Sequence, residues 1–158
     1  MTVKVKLPSM SEKEIQDVIE SQSICRMAFI DGEYPYIAPF QYCIYNDAFH
    51  FHFTDYGKKK RILQKNKHVC ISIEQLEETL SEYYFISIQG KLIEIDNVKE
   101  KKIIIKQMVE DASNNFSKSF LSAHGFDKEK GWEAFQPDEG IIIYKLKETG
   151  ERVALKSA

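Results

Sequence analysis

The chain predicts a mainly β domain with peripheral helices (α+β), built as an antiparallel barrel. Short apolar runs follow one another in meander order, separated by turn residues. Only one short helical stretch lies between successive strands, whereas a parallel sheet needs a crossover helix between most of them. The other helical patterns stand at the start and late in the chain. With 158 residues, 43% hydrophobic and 12% aromatic, there is apolar material for one ordinary core, so residues 1–158 are read as a single domain.

The elements follow in order. Residues 1–22 form an N-terminal helical segment: Ser11 and Glu14 stand in capping-box spacing, and Ile15, Val18 and Ile19 make one helical stripe. SICRMAFI is strand-like, DGEYP supplies a turn, and YIAPFQYCIY resumes an extended run. Asn46-Asp47 turns the chain into AFHFHF, whose strict alternation sets Phe49, Phe51 and Phe53 on one face and His50 and His52 on the other. A short cationic helix precedes HVCISIE and the long YYFISIQGKLIEID, in which Gly90 marks a bulge or kink. Asp96 is expected to cap the helix VKEKKIIIKQMVEDA, the start of a helical insertion over 97–135 that also carries Phe116, Phe120, Leu121 and Trp132. EGIIIYKLKE, a Thr149-Gly150 turn and RVALKS close the domain.

A formal net charge of −2 argues against a general nucleic-acid binder, which is usually basic as a whole. No run approaches the roughly 18 apolar residues of a membrane span, and MTVKVKLPSM lacks the apolar centre of a signal peptide. Cys25, Cys43 and Cys70 are an odd number without a CxxC pair, each in an apolar run, as buried free thiols of a reducing compartment would be. A cytoplasmic protein without nucleic-acid or membrane partners is expected.

Lys58, Lys59, Lys60 and Arg61 directly follow a strand end at Thr54 and a tight turn at Gly57. A helix start carries unpaired N–H groups and partial positive charge, so an anion is favoured there, and ammonium groups make it a phosphate site. The same run also reads as a solvated helix face. His50 and His52 suit a metal by type, but lack the carboxylate or thiol cluster that a site needs, so no metal is expected. His68 and His124 read as surface groups. No GxSxG, HExxH or P-loop phrase occurs, and no catalytic acid or base is assignable.

The order DGxYPYIAPFQY, YNDAFHFHFT, GKKKRILQKNKHVCISIE resembles the FMN-binding split-barrel superfamily of the pyridoxamine 5'-phosphate oxidases, most closely its nitroimidazole-reductase-like branch. That branch carries a phrase of the form YFHSAxxGxKxxxLxxNPxVCF, matched here by His50 to Thr54, Gly57, Lys59, Leu63, Asn66, Val69 and Cys70. Phe85-Ile86, Gly90, Ile95-Asp96 and Glu100-Lys101 match a later phrase more loosely. The resemblance implies a six-stranded split β-barrel and a homodimer with FMN at its interface. It implies that Lys59 binds the phosphate, flanked by Thr54 and Lys58, with His52 and Phe53 under the phosphate and ribityl chain. Pro39, Phe40 and Gln41 would meet the isoalloxazine edge. Lys67 replaces a Pro, Phe85 a smaller residue, and Ala38 and Cys43 stand where true pyridoxamine phosphate oxidases place basic residues. These departures, and the lack of a C-terminal Arg-x-His, point away from pyridoxamine phosphate as substrate. An FMN-dependent oxidoreductase acting on a small planar substrate or electron acceptor is the implied activity, with a non-catalytic flavin-binding or redox-sensing module as the alternative. Trp132, Phe135 and Tyr144 read as closing the barrel end, with Trp132 as a lid over a flavin pocket the alternative.

Overall fold

The structure, a computed structural model, describes residues 4–117 and 140–158. The element order is α1 (Glu12–Ser21), β1 (Ile24–Asp31), β2 (Tyr34–Gln41), β3 (Cys43–Tyr45), β4 (Ala48–Thr54), α2 (Lys58–Lys65), β5 (His68–Leu76), β6 (Tyr83–Glu94), α3 (Val98–Asn115) and β7 (Ile141–Lys156). The pairings β1–β2, β1–β5, β5–β6, β4–β7 and β3–β4 are all antiparallel. The chain divides into two compact units, the first Met1–Gln41, His68–Lys91 and Glu148–Ala158, the second Tyr42–Lys67 and Leu92–Lys147.

In the first unit the strands run in the order β2-β1-β5-β6-β7. The register aligns Met27 with Ile71 and Ile71 with Ile88, so alternate residues of three strands make one apolar row, all of it fully buried. α1 packs on β5 through Ile15, Val18 and Ile19. Its predicted capping box is present: the Ser11 hydroxyl accepts from Glu14 N at 3.2 Å and the Glu14 carboxylate from Ser11 N at 3.0 Å. Lys156 reaches that same carboxylate at 2.9 Å, which ties the helix start to the end of β7 and holds the Glu14 carboxyl down at about 2.

In the second unit β7 lies between β6 and β4, and β3 borders β4. α3 contacts β3 and α2 contacts β4. Ile104, Ile105, Met108 and Val109 of α3 pack with Cys43, Ile95 and Ile143 as one buried cluster. Asn46 and Asp47 both have positive φ, 49° and 60°, the backbone of the tight two-residue hairpin that the sequence implied.

Four expectations are corrected. YIAPFQYCIY divides at Tyr42 into β2 and β3, giving seven strands among the described residues where six were expected. Gly90 makes no bulge: the β5–β6 register is unbroken from His68↔Lys91 to Leu76↔Tyr83. Thr149-Gly150 is no turn, because β7 is continuous there; Gly150 answers to a close approach of Gln89 instead, since an added Cβ would stand 2.7 Å from the Gln89 Cβ. Asn97, not Asp96, caps α3, its side chain accepting from Glu100 N at 3.0 Å. Phe120, Leu121, His124, Trp132 and Phe135 lie outside the described residues.

Candidate functional site

The turn expected to hold a phosphate lies where β4 gives way to α2. Buried Phe49, Phe51 and Phe53 anchor the strand, and Phe53 stands edge-on to Tyr144 with ring centroids 5.0 Å apart. Beyond Thr54 the chain turns through Asp55 and Tyr56. The Thr54 hydroxyl donates to the Tyr56 carbonyl at 3.0 Å, and Asp55 N donates to the Gly140 carbonyl at 3.0 Å. Gly57 then takes φ +91°, a conformation that side chains disfavour, and the helix begins.

Among the described residues no side chain caps α2, and no acidic residue occupies its first turn. Its first backbone bond runs from Arg61 N to Gly57 O at 3.2 Å. Lys58 is exposed, while Lys59 and Lys60 are half-buried. Lys60 pairs with the Asp55 carboxylate. The structure thus brings Thr54, Lys58 and Lys59 to one turn, with Phe53 buried and His52 half-buried on the strand that leads into it.

His50 and His52 fare differently although they share a strand face. His50 is 1% exposed, its Nδ1 lies 3.0 Å from the Ala48 carbonyl, and its ring stands edge-on to Tyr45 at 5.8 Å. Its Nε2 has no hydrogen-bond partner among the described residues. Loss of solvent pushes the imidazole pKa below its ordinary value, opposed by the Ala48 carbonyl and Glu100 and assisted by Lys145. Among the described residues no group of three His, Cys, Asp or Glu could hold a metal ion.

Sequence reading missed a cleft of about 490 Å³ in the same unit. Lys60, Gln64, Lys67 and Lys101 line it together with Glu94 and Tyr144; Lys58 and Lys59 do not. Lys101 donates to the Ile141 carbonyl at 3.1 Å. Burial, and then Glu94, push the Tyr144 phenol pKa up. The spacing of Lys60, Leu63 and Gln64 on one helix face was legible; the convergence of Lys101 and Tyr144 upon them was not.

In the first unit, the end of β2 carries the other expected residues. Pro39 is exposed opposite Arg26, Phe40 is buried with its ring centroid 6.0 Å from that of Phe29, and Gln41 is half-buried opposite Ile24. Phe85 is half-buried opposite Glu74. A second cleft, about 560 Å³, is lined mainly by apolar groups of β1 and β5, with Cys70 and Gln89 on its wall. Cys70 is only half-buried, its Sγ 3.2 Å from the Ser87 hydroxyl, against the expectation of full burial; a strand residue on the outer face faces the cleft instead of the core. Cys25 and Cys43 are buried as expected, and loss of solvent pushes both thiols up to about 12.

The family model described as pyridoxamine 5'-phosphate oxidase matches residues 11–139. Among solved structures, a FAD-binding protein from Mesorhizobium loti is similar at TM-score 0.64 and 15% identity, covering 98% of this chain and 100% of that one. A candidate 5-nitroimidazole antibiotic resistance protein from Bacteroides thetaiotaomicron gives 0.66 and 18%, covering 96% and 87%. A NimC/NimA family protein from Clostridium acetobutylicum gives 0.60 and 16%, covering 90% and 85%. No curated protein matches the chain. The likenesses bear out the split-barrel fold.

Proposed function

The chain belongs to the pyridoxamine 5'-phosphate oxidase family, and from that premise we propose that it is an FMN-binding flavoprotein, an oxidoreductase acting on a small planar substrate. The turn at Gly57 carries this reading. It opens a helix that has no side-chain cap among the described residues and no acidic residue in its first turn, and lysines follow at once. Cations at the positive end of a helix dipole repel it by a few tenths of a kcal/mol each, and a bound phosphate reverses the sign. Lys59 and Lys58 would hold the phosphate and Thr54 would border it. The Thr54 hydroxyl proton is committed to the Tyr56 carbonyl, so the lysines supply the charge. A bound flavin supplies hydride and electron transfer, while the chain binds and orients it.

A homodimer with FMN at its interface completes the proposal. Its support is the outer face of β1 and β2, where the register sets Ile24, Ile30 and Ile37 on one side at 41%, 52% and 60% exposure beside exposed Pro35 and Pro39. Three free thiols suit a reducing, cytoplasmic setting, and no helix among the described residues is long and apolar enough to cross a membrane.

A flavin-binding or redox-sensing module without turnover is the second reading, favoured by the pairing of the turn's acid, Asp55, with Lys60. That pair leaves Asp55 poorly placed to donate a proton. The visible spectrum of the purified protein, with the mass of the released ligand, tests flavin binding and separates FMN from FAD. Colourless protein that ignores added FMN overturns it. Reduction by NAD(P)H followed by oxidation by an acceptor marks the enzyme; reduction without turnover marks the module.

A further inference from the structure

We propose that the cleft beside α2, which shares Asp55 and Lys60 with the turn at Gly57 but not Lys58 or Lys59, is a second anion site, and that it takes the oxyanion of a small molecule whose apolar body lies against Tyr144. Three lysines and two carboxylates line it, Lys60, Lys67 and Lys101 against Asp55 and Glu94, a formal excess of one positive charge. Two of the ammonium groups are held in place by the protein itself, Lys60 by Asp55 and Lys101 by the Ile141 carbonyl. Holding them lowers the entropy that a ligand must remove on binding. Lys67 follows the C-cap Asn66, and its own carbonyl accepts from Leu92 N at 2.9 Å, which fixes the backbone from which its side chain rises.

Lys60, Leu63 and Gln64 share one face of α2, so a cation, an apolar group and an amide stand on the same wall. Tyr144, fixed edge-on against Phe53, and Ile142 make the apolar part. Lysines suit phosphate or carboxylate as point charges. The volume of about 490 Å³ lies within the roughly 300–1,000 Å³ of small-molecule sites. Lys58 and Lys59 do not line it, so it lies on the other side of the turn from the lysines proposed to hold the flavin phosphate.

Backbone amide shifts of the full chain, followed by NMR during titration with phenyl phosphate and, separately, with benzoate, test the site. The expected result is saturable shifts centred on Gln64, Lys67 and Ile142 that persist when FMN is added. The tighter of the two probes identifies phosphate or carboxylate as the preferred oxyanion. Lys67→Gln should weaken binding roughly tenfold, the loss of one charge-assisted contact at an exposed position, while Lys59→Ala leaves it unchanged. Lys101→Gln, with folding checked by the same spectrum, should weaken it too. Displacement of the probe by FMN, an equal loss in Lys59→Ala, or no saturation with either probe overturns the proposal.

Discussion

Gly150 and Gln89 approach each other so closely that a methyl group on the glycine would stand 2.7 Å from both the Cβ and the Oε1 of the glutamine. The same Oε1 accepts from Glu151 N at 3.1 Å, so the amide also ties down the backbone next to the glycine. Gly150→Ala should therefore destabilise the protein by about 1–3 kcal/mol, the usual range for forced overpacking. Urea unfolding measures it. Gln89→Ala should not rescue the variant, because the offending Cβ remains, whereas Gln89→Gly should recover part of the loss.

His50 makes stability pH-dependent. Its folded pKa lies below the ordinary value, so the unfolded chain binds the proton more readily. The stability it permits is complete above about 6.5, the ordinary imidazole value, and is lost as pH falls below it, by at most about 1.4 kcal/mol per pH unit for one proton. Groups facing the ring are Glu100, which favours the charged form, and Lys145, which opposes it. Comparing urea midpoints at neutral and mildly acidic pH in wild type and His50→Leu should show a flatter acid limb in the variant. An unchanged slope would remove His50 as the cause.

Lys59→Ala should weaken FMN binding by roughly ten- to hundredfold, the worth of a charge-assisted hydrogen bond to phosphate, and more than Lys60→Ala does. Lys60 is paired with Asp55 and lines the other cleft. Riboflavin, which lacks the phosphate, should bind weakly to wild type and scarcely respond to either change. Flavin fluorescence titration reads all of these, and equal affinity of wild type for FMN and riboflavin would show that the turn holds no phosphate.

The thiols should fall into two classes. Cys25 and Cys43, pushed up to about 12 by burial, stay protonated at neutral pH and unreactive. Cys70, half-buried on a cleft wall, should react first. Thiol titration of native protein should find one accessible group per chain, absent in Cys70→Ser, with the others appearing on denaturation.

Ile37→Asp places a charge amid the exposed apolar face of β1 and β2. Light scattering should give a dimer for wild type and a monomer mass for the variant at micromolar concentration. A monomeric wild type would remove the homodimer and any cofactor site shared between copies.

The features legible in the sequence are those decided by near neighbours. Ser11 and Glu14 announce a capping box because both partners lie within one turn, and AFHFHF announces a strand by its period alone. Distant partners set the rest. Gly150 signals a turn by type, yet its role comes from a residue on another strand, and Gly90 signals a bulge by type yet sits in an unbroken register. His50 and His52 are indistinguishable in the sequence; their different burial depends on which neighbours cover each end of β4. The turn at Gly57 was readable because its residues are contiguous, while the cleft of Lys60, Lys67 and Lys101 assembles only when α2, α3 and β7 have packed.

The first unit is assembled from three separated stretches, of which Glu148–Ala158 comes last. During synthesis, then, the row formed by Met27, Ile71 and Ile88 can be complete while its final bordering strand is still inside the ribosome. Met10 N waits for the Ala154 carbonyl, and Lys156 N for that of Pro8, across almost the whole length of the chain. Until β7 pairs beside it, the nascent protein exposes the edge of β6 as an unpaired strand, open to other nascent chains and to chaperones.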